Sequence, residues 1–347
     1  MIFCTRAYAR VGLMGNPSDG YFGKTLSATV TDFRAEVTLW ESPEITIVPH
    51  PIHDPLSFSS LEEVARRVRQ EGYYGGIRLL YATCKKFYEF CTARGVELPK
   101  RNFTVRYDTT IPRQIGLGGS SAIITATIRA LMQFYELQEG EHYHKPEIPN
   151  LILSVETEEL DIAAGLQDRV VQWYGGLVFM DFSEEYMLTR GYGEYEPLDP
   201  RLLPPLFLAY QTSGKESGRV HRNIRYRFEQ GDPEVRGAMR EFAQYAVEAR
   251  EALLRGDHET FGVLMNRNFD LRRKLYGDKA LGERNLEMIE IARRLGFPSK
   301  FSGSGDAIVG MYRCPEDLGI LQAAYESRGY HFRPLSVEVP NRDDAGS

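Results

Sequence analysis

Three short glycine-rich stretches carry the residues best suited to binding or transferring a phosphate. They read "VGLMGNPSDGYFGKT" (11–25), "IGLGGSSA" (115–122) and "GSG" (303–305). The first ends like a nucleotide-binding P-loop, but Ser18 stands where that motif needs its first glycine. An alternating, β-branched segment follows Thr25, whereas a P-loop leads directly into a helix. We therefore interpret the Gly-Lys-Thr ending as a coincidence.

The second stretch fits phosphate binding better, because it follows a predicted strand and precedes a helix rich in small and apolar residues. Closely spaced glycines let backbone N–H groups approach an anion, and the helix dipole adds partial positive charge there. A serine at the helix start either caps the helix or binds Mg²⁺. Taken alone, this stretch fits a plain Gly-Ser turn equally well.

Composition narrows the class of protein. The chain has 347 residues with 42% hydrophobic and 26% charged content, which is typical of a globular protein of one large or two ordinary domains. A net charge of −6 argues against a nucleic-acid partner, and no apolar run is long enough to span a membrane. No signal peptide is recognisable, and four scattered cysteines without a C-x-x-C motif favour reduced thiols and a cytoplasmic location. The seven histidines show no metal-binding spacing.

The spacing of apolar residues predicts strands and helices in both halves of the chain, without strict βαβ alternation. The fold class that we predict is therefore α+β, with a domain boundary at about 190–205, in the turn-rich, proline-ended connection 184–205. The predicted strands cover 6–15, 26–40 (one or two strands), 44–49, 102–112, 175–182, 206–212 and 332–340, and 300–312 is predicted as a glycine-rich turn that leads into a strand. The predicted helices cover 73–95, the segment after Ser121 to about 137, 147–163, 232–255, 257–275, 283–295 and 315–328.

Together the three stretches resemble the three motifs of the GHMP kinase family. "IPRQIGLGGSSA" is similar to the second motif, P-x-x-x-G-L-G-S-S-A, with one extra glycine, and "KFSGSGDA" is similar to the third. "ARVGLMGNPSDGYFG" is similar to the first, so the resemblance spans residues 9 to 310. It implies a two-domain fold with a ribosomal protein S5 domain 2-like N-terminal domain over 1–204. A ferredoxin-like C-terminal domain would cover 205–347.

The resemblance also implies roles for individual residues. Asp168 would be the catalytic carboxylate, with Arg10 beside the transferring phosphate and Lys24 as a further cation. Glu156 and Ser120 would bind Mg²⁺, with Ser121 as the alternative to Ser120. Without the resemblance, Glu156 reads as part of a solvated acidic run and Asp168 as a plain ion pair with Arg169. The ATP site implied comprises Pro112, Gly116, Leu117, Gly118, Gly119, Ser120, Ser121 and Ala122, braced by Gly303, Ser304 and Gly305.

The first stretch then becomes a sugar-binding loop, with Asn16, Ser18, Asp19 and Gly20 as partners of the substrate. The galactokinases of the family carry Glu and His where this chain has Asn16 and Pro17. Asn keeps hydrogen-bonding capacity and removes a charge that would repel an anionic sugar. A substrate carboxylate also favours a cation, and the basic stretch 215–227 offers one, with Arg222 as our choice. The alternative is a basic helix face that pairs with neighbouring acids.

Within the family, the chain most resembles members that phosphorylate D-glucuronate at its anomeric oxygen with ATP and Mg²⁺. Two alternatives stay open: a kinase of the same fold for galacturonate, arabinose, galactose or a phosphorylated sugar, and a non-catalytic ligand sensor. The sensor is disfavoured because Arg10, Ser120, Glu156 and Asp168 are all present. The sequence does not indicate which residues form the adenine pocket, nor which oligomeric state the protein adopts.

Overall fold

The computed structural model of the protein describes residues 1–71, 75–212 and 218–340; the side chains of 69–71 and 218–222 lie outside this description. The strands are β1 (Ile2–Met14), β2 (Lys24–Ser42), β3 (Thr46–Val48), β4 (Asn102–Thr109), β5 (Leu177–Asp181), β6 (Glu194–Leu198), β7 (Leu206–Tyr210), β8 (Ser299–Phe301), β9 (Ala307–Met311) and β10 (His331–Pro334). The helices are α1 (Leu61–Glu71), α2 (Ile77–Ala93), α3 (Gly119–Phe134), α4 (Ile148–Ser154), α5 (Leu166–Tyr174), α6 (Glu184–Arg190), α7 (Gly218–Glu229), α8 (Pro233–Leu254), α9 (His258–Tyr276), α10 (Asp278–Leu281), α11 (Glu283–Arg294) and α12 (Pro315–Glu326).

The strands form two sheets, one on each side of the predicted domain boundary. The first has the order β3-β4-β2-β5-β6, with β1 also paired to β2, and the second has the order β10-β7-β9-β8. β2 is the longest strand, with β1 along one edge and β4 and β5 at opposite ends of the other. The division at residue 204 stays a prediction, because one continuous core contains residues from both sides of it.

Apolar side chains at alternate positions of β1 and β2 form the centre of this core. Successive strand side chains point to opposite faces, so one face of each strand is apolar and buried. Helix α3 packs against both strands on one side and α8 contacts β2 as well. The fully buried residues on these elements include Ala9, Val11 and Leu13 of β1, Leu26, Ala28 and Val30 of β2, and Ala246 and Ala249 of α8.

Part of the sequence-based assignment is wrong. The segment 184–205 was predicted as a turn-rich connection, yet it contains α6 and β6. Ser183 precedes α6 and Gly191 ends it in the left-handed conformation (φ 78°), so both helix ends carry residues that favour them. Strand β6 pairs with β5 at the edge of the sheet, where Pro197 is tolerated. The helix predicted over 147–163 also divides, into α4 and a π-helical turn, Val155–Glu159.

None of the described helices is both long and apolar enough to cross a membrane.

The contact between α8 and β2 gives a test of the shared core. We expect Ala249→Leu to lower the free energy of unfolding by about 1–3 kcal/mol, because a larger side chain overpacks a fully buried position. The same change at Glu251, which is exposed on α8, serves as the control and is expected to stay within about 0.5 kcal/mol of the parent. Urea unfolding measures both; equal effects would contradict the packing described here.

Candidate active site

The three glycine-rich stretches meet at one cavity of about 590 Å³. The first loop, between β1 and β2, contributes Asn16, Asp19 and Gly20 to its wall, and the loop before α3 contributes Pro112 and the run 116–121. Gly303 and Ser304 come from the hairpin between β8 and β9. The cavity also reaches α5 and the start of α2. Its lining therefore joins residues from distant parts of the chain.

Arg10 on β1 connects these parts. Its side chain is buried, and Nε and Nη2 donate to the two carboxylate oxygens of Asp168 at 2.5 and 2.8 Å. Nη1 donates to the carbonyls of Gly116 (2.7 Å) and Ser302 (3.1 Å), in the second and third stretches. The backbone N–H of Arg10 also donates to the carbonyl of Leu117 at 3.1 Å. One guanidinium thus holds both loops and the carboxylate in a fixed arrangement.

Asp168 lies in the first turn of α5, where the helix dipole favours a negative charge. Burial acts to raise its pKa, but the nearby Arg10 and Arg169 outweigh this, and the pKa of Asp168 lies below its ordinary value. Arg169 in turn binds Glu156, donating from Nε to Oε2 at 2.9 Å and from Nη2 to the same oxygen. Glu156 is buried in the π-helical turn after α4, so the solvated acidic face considered from sequence is wrong for it.

The second loop has the geometry of an anion site at a helix N-terminus. Gly118 precedes α3 in the left-handed conformation (φ 73°), a backbone state that favours glycine. The Ser121 hydroxyl is buried and donates to the carbonyl of Gly118 at 3.1 Å, while the N–H of Ala122 donates to the same carbonyl. The hydroxyl of Ser120 lines the cavity and makes no hydrogen bond among the described residues. Ser120 is therefore better placed than Ser121 to bind a ligand.

The third stretch packs closely against the backbone of this loop. A Cβ atom on Gly303 would lie 2.4 Å from the carbonyl oxygen of Gly116, so only glycine allows the two loops to approach this closely. A Cβ on Gly116 would in turn lie 3.0 Å from the carbonyl of Gly305. Arg272 of α9 fixes the brace, donating to the carbonyls of Gly303 (2.8 Å) and Ser304 (3.1 Å).

The first loop is held by residues that sequence reasoning missed. Lys300 is fully buried, and its ammonium donates to Oδ1 of Asn16 at 2.6 Å and to the carbonyl of Gly12 at 2.7 Å. Asn268 of α9 accepts from the N–H of Gly15 at 2.8 Å. Lys300 stands between Ser299 and Phe301 on the short strand β8, a context without a recognisable motif. Asn268 and Arg272 fall at helical spacing among the apolar residues of α9. That spacing indicates that Asn268 and Arg272 lie on the buried face of α9, but it does not identify the groups that they contact.

The remaining predicted residues lie in different settings. Asp19 lines the cavity, whereas Ser18 is fully buried and its hydroxyl donates to the carbonyl of Lys24 at 2.9 Å. The Lys24 ammonium contacts the carboxylate of Asp181, its partner across β2 and β5. The structure therefore does not bring Ser18 or Lys24 to the cavity wall. The side chain of Arg222 lies outside the described residues, and Arg225, one turn further along α7, lines the cavity.

An apolar part of the cavity wall lies beside the second loop and was not predicted from sequence. It is formed by Leu79 at the start of α2, Ile111 and Ile115 before the loop, Ile123 of α3 and Tyr107 of β4. Gly76 packs directly on the Tyr107 ring, since a Cβ there would lie 2.3 Å from the phenol oxygen. A flat apolar ring system fits against such a surface.

The residues present fit a bound Mg²⁺. Arg169 donates both of its hydrogen bonds to Oε2 of Glu156, so this ion pair does not use Oε1. Ser120 lines the same cavity as Glu156. Among the described residues no group of three His, Cys, Asp or Glu side chains surrounds a point that would hold a metal. Mg²⁺ is commonly bound by one or two carboxylates together with substrate phosphates, so a closed protein cage is not required.

Comparison with known proteins places the chain in a family. Residues 78–176 match the GHMP kinases N terminal domain and residues 249–331 match the GHMP kinases C terminal family. "Glucuronokinase 1" of Arabidopsis thaliana is 47% identical over 336 residues, covering 96% of this chain and 91% of the relative. "Probable glucuronokinase 2" of the same plant is 47% identical over 345 residues, covering 98% and 93%.

The fold agrees with these sequence relatives. The crystal structure of a Lin0012 protein from Listeria innocua superposes with a TM-score of 0.77 at 16% identity, covering 97% of this chain and 98% of that one. At this identity the similarity concerns the fold alone. The chain belongs to the GHMP kinase family, and the expected two-domain, α+β GHMP kinase fold is confirmed.

Asp19 gives a test of the electrostatics of the cavity. Its carboxylate packs against Gly165, and burial and the nearby charge of Asp168 raise its pKa to about 6. The unfolded chain releases this proton near pH 4, so the native state is progressively penalised as pH rises from about 4 to 6. We expect Asp19→Asn to gain stability relative to the parent over that range, by at most about 3 kcal/mol, with a constant difference above pH 7. Parallel Tm curves from pH 4.5 to 8 would contradict this.

Proposed function

We propose that the protein is an ATP-dependent kinase that phosphorylates D-glucuronate at its anomeric hydroxyl, giving the 1-phosphate. The observation that carries the proposal is the 47% identity to Glucuronokinase 1 over nearly the full length of both chains. The cavity supports the proposal, because the residues needed for phosphoryl transfer to a sugar line one and the same cavity.

In this proposal the triphosphate lies on the loop 116–121, against the N-terminus of α3. Backbone N–H groups and the helix dipole attract the phosphates there. The adenine ring packs on the apolar surface that includes Leu79, Ile111 and Tyr107. Pro112, Leu117 and Ala122 shape the loop, and Gly303, Ser304 and Gly305 hold it from the other side.

The sugar lies between the first loop and α5, with Asp19 and Gly20 beside it and its anomeric hydroxyl near Asp168. Since its pKa is lowered, Asp168 is a carboxylate at neutral pH that orients the attacking hydroxyl by accepting its hydrogen bond. Phosphoryl transfer proceeds through a loose transition state, so positioning and charge neutralisation contribute more than early proton removal. Arg10 supplies positive charge close to the reacting oxygens.

Glu156 and Ser120 are the residues that we propose for Mg²⁺. The metal, when bound, neutralises charge on the ATP phosphates. Glu156 is held by Arg169 through Oε2, which fixes the direction in which Oε1 points. We propose Ser120 rather than Ser121, whose hydroxyl donates to the carbonyl of Gly118. Lys24, Ser18 and Arg222 stay predictions without support from their positions.

The same proposal includes a domain boundary near residue 204 and a cytoplasmic location without nucleic-acid or membrane partners. Support for the location is limited to the free cysteines, which fit a reducing compartment. The net charge of −6 disfavours binding to polyanions.

The proposed activity is tested by a panel of acceptors with coupled ADP release. We expect kcat/KM for D-glucuronate to exceed that for D-galacturonate, D-glucose, D-galactose and L-arabinose by at least tenfold, since loss of the matched polar group leaves site residues unpaired. The product is expected to lose its reducing end, because phosphate occupies the anomeric oxygen. Higher turnover of any neutral sugar, or a product that still reduces, would exclude this assignment.

The role of Asp168 is tested by Asp168→Asn. We expect kcat to fall at least about 100-fold, because the neutral amide is a poor acceptor for the sugar hydroxyl. Nucleotide affinity is expected to stay within a few-fold of the parent. Glu158→Gln, an exposed change in a carboxylate that pairs with Lys86, serves as the control. Near-normal turnover of the Asp168 variant would remove this residue from the mechanism.

A further inference from the structure

Lys300 is a buried cation that the proposed reaction does not use. It lies on β8, and its ammonium donates to the carbonyls of Gly12 and Phe301, both at 2.7 Å, and to Oδ1 of Asn16 at 2.6 Å. Three acceptors match the three N–H groups of an ammonium. No carboxylate of the described residues is among its partners, which is unusual for a fully buried charge.

This contact fixes the orientation of the Asn16 carboxamide. An ammonium only donates hydrogen bonds, so the atom that faces it must be the oxygen of the amide. Asn16 lines the cavity, and among the described residues its Nδ2 group has no hydrogen-bond acceptor. The backbone carbonyl of Asn16 accepts a weak bond of 3.4 Å from Asn268. Asn16 therefore offers its NH₂ group to whatever lies in the cavity.

Gln167 provides an independent sign that a ligand belongs here. It is 4% exposed, lines the same cavity, and its Oε1 is buried with no hydrogen-bond partner among the described residues. A Cβ on Gly12 would lie 3.2 Å from Nε2 of Gln167 and 3.3 Å from Cγ of Asn16, so the two amides are neighbours. One presents a donor and the other an unpaired acceptor, which matches a sugar that carries both acceptor oxygens and hydroxyl donors.

Positive charge accumulates behind these amides. Arg272 is buried as well, and its hydrogen bonds go to two carbonyls rather than to a carboxylate. Burial, Arg272 and Arg10 together lower the pKa of Lys300 well below that of an ordinary lysine. An anionic group bound at Asn16 offsets this repulsion and stabilises the ammonium form.

We propose that Lys300 is a positioning residue for substrate specificity: it holds the Asn16 carboxamide so that its NH₂ group binds the carboxylate of the sugar acid, while Gln167 accepts from a neighbouring sugar hydroxyl. This inference rests on the proposed function for the identity of the sugar. It explains selectivity through the hydrogen-bond direction at residue 16 rather than through the loss of a charge alone.

The central test is Asn16→Asp, which keeps the shape of the side chain. An oxygen replaces the NH₂ group, so we expect KM for D-glucuronate to rise at least tenfold while KM for ATP changes less than threefold. For D-glucose, whose hydroxymethyl group is able to donate to the new carboxylate, kcat/KM is expected to stay equal or to rise. Asn102→Asp, an exposed change at the start of β4, is the matched control. It is expected to change neither KM for D-glucuronate nor kcat/KM for D-glucose. Unchanged glucuronate-to-glucose selectivity in the Asn16 variant would overturn the inference.

The part played by Lys300 has two measurements of its own. Lys300→Met is expected to lower glucuronate-to-glucose selectivity at least tenfold, because the amide is no longer held in one orientation. If that variant does not fold, the Tm of Asn16→Asp tests the role of Lys300 instead. Without substrate, its Tm is expected to rise, since a carboxylate then faces an ammonium that is already buried. Unchanged selectivity in Lys300→Met, or a lower Tm in Asn16→Asp, would refute the positioning role.

These outcomes separate this inference from the proposed function. If the parent protein does not phosphorylate D-glucuronate, the proposed function fails, whereas the Tm measurement still reports on the contact between Lys300 and residue 16. If the parent does phosphorylate D-glucuronate and the Asn16 variant keeps its selectivity, only the present inference fails.

Discussion

The guanidinium of Arg10 is the constraint on which the rest of the site depends. It is buried, so each of its polar contacts must be satisfied within the protein. Its partners are a carboxylate on α5 and two carbonyls, those of Gly116 and Ser302, that belong to loops far apart in sequence. A shift of either loop would remove a carbonyl acceptor from the buried Nη1 group, and a buried donor left without an acceptor costs about 1–3 kcal/mol. The loops are therefore fixed in place although they contain few apolar side chains.

The same arrangement gives two carboxyl groups that line one cavity different pKa values. Asp168 lies between Arg10 and Arg169, and its pKa is lowered despite its burial. Asp19 forms no ion pair with a cation in the part of the chain that the structure describes, and burial and the charge of Asp168 raise its pKa to about 6. Two chemically similar groups thus acquire different protonation behaviour from their surroundings alone. Asp168 is suited to act as a permanent anion, and Asp19 changes charge close to physiological pH.

Much of this arrangement was accessible from the sequence, because it is encoded locally. A glycine run before a helix predicts the loop at α3, and the spacing of apolar residues identifies the helices α8 and α9. Tertiary pairing, by contrast, is not encoded in a window of neighbouring residues. Lys24 resembled a catalytic cation until its partner on β5, Asp181, was known. Lys300 and Arg272 carried no motif signal for the roles described here, since their partners are backbone carbonyls on other segments.

The helix α9 has a consequence for how this fold diversifies. Asn268 holds the loop that follows β1, and Arg272, one turn later, holds the hairpin between β8 and β9. Two adjacent turns of a single helix in the second half of the chain therefore hold two loops of a pocket that is lined mostly by residues of the first half. Recognition of the acceptor is consequently not a portable property of either half. A chimaera that joins the first half of one family member to the second half of another would inherit a pocket that matches neither parent, because the loop after β1 and the residues that hold it lie on opposite sides of the join.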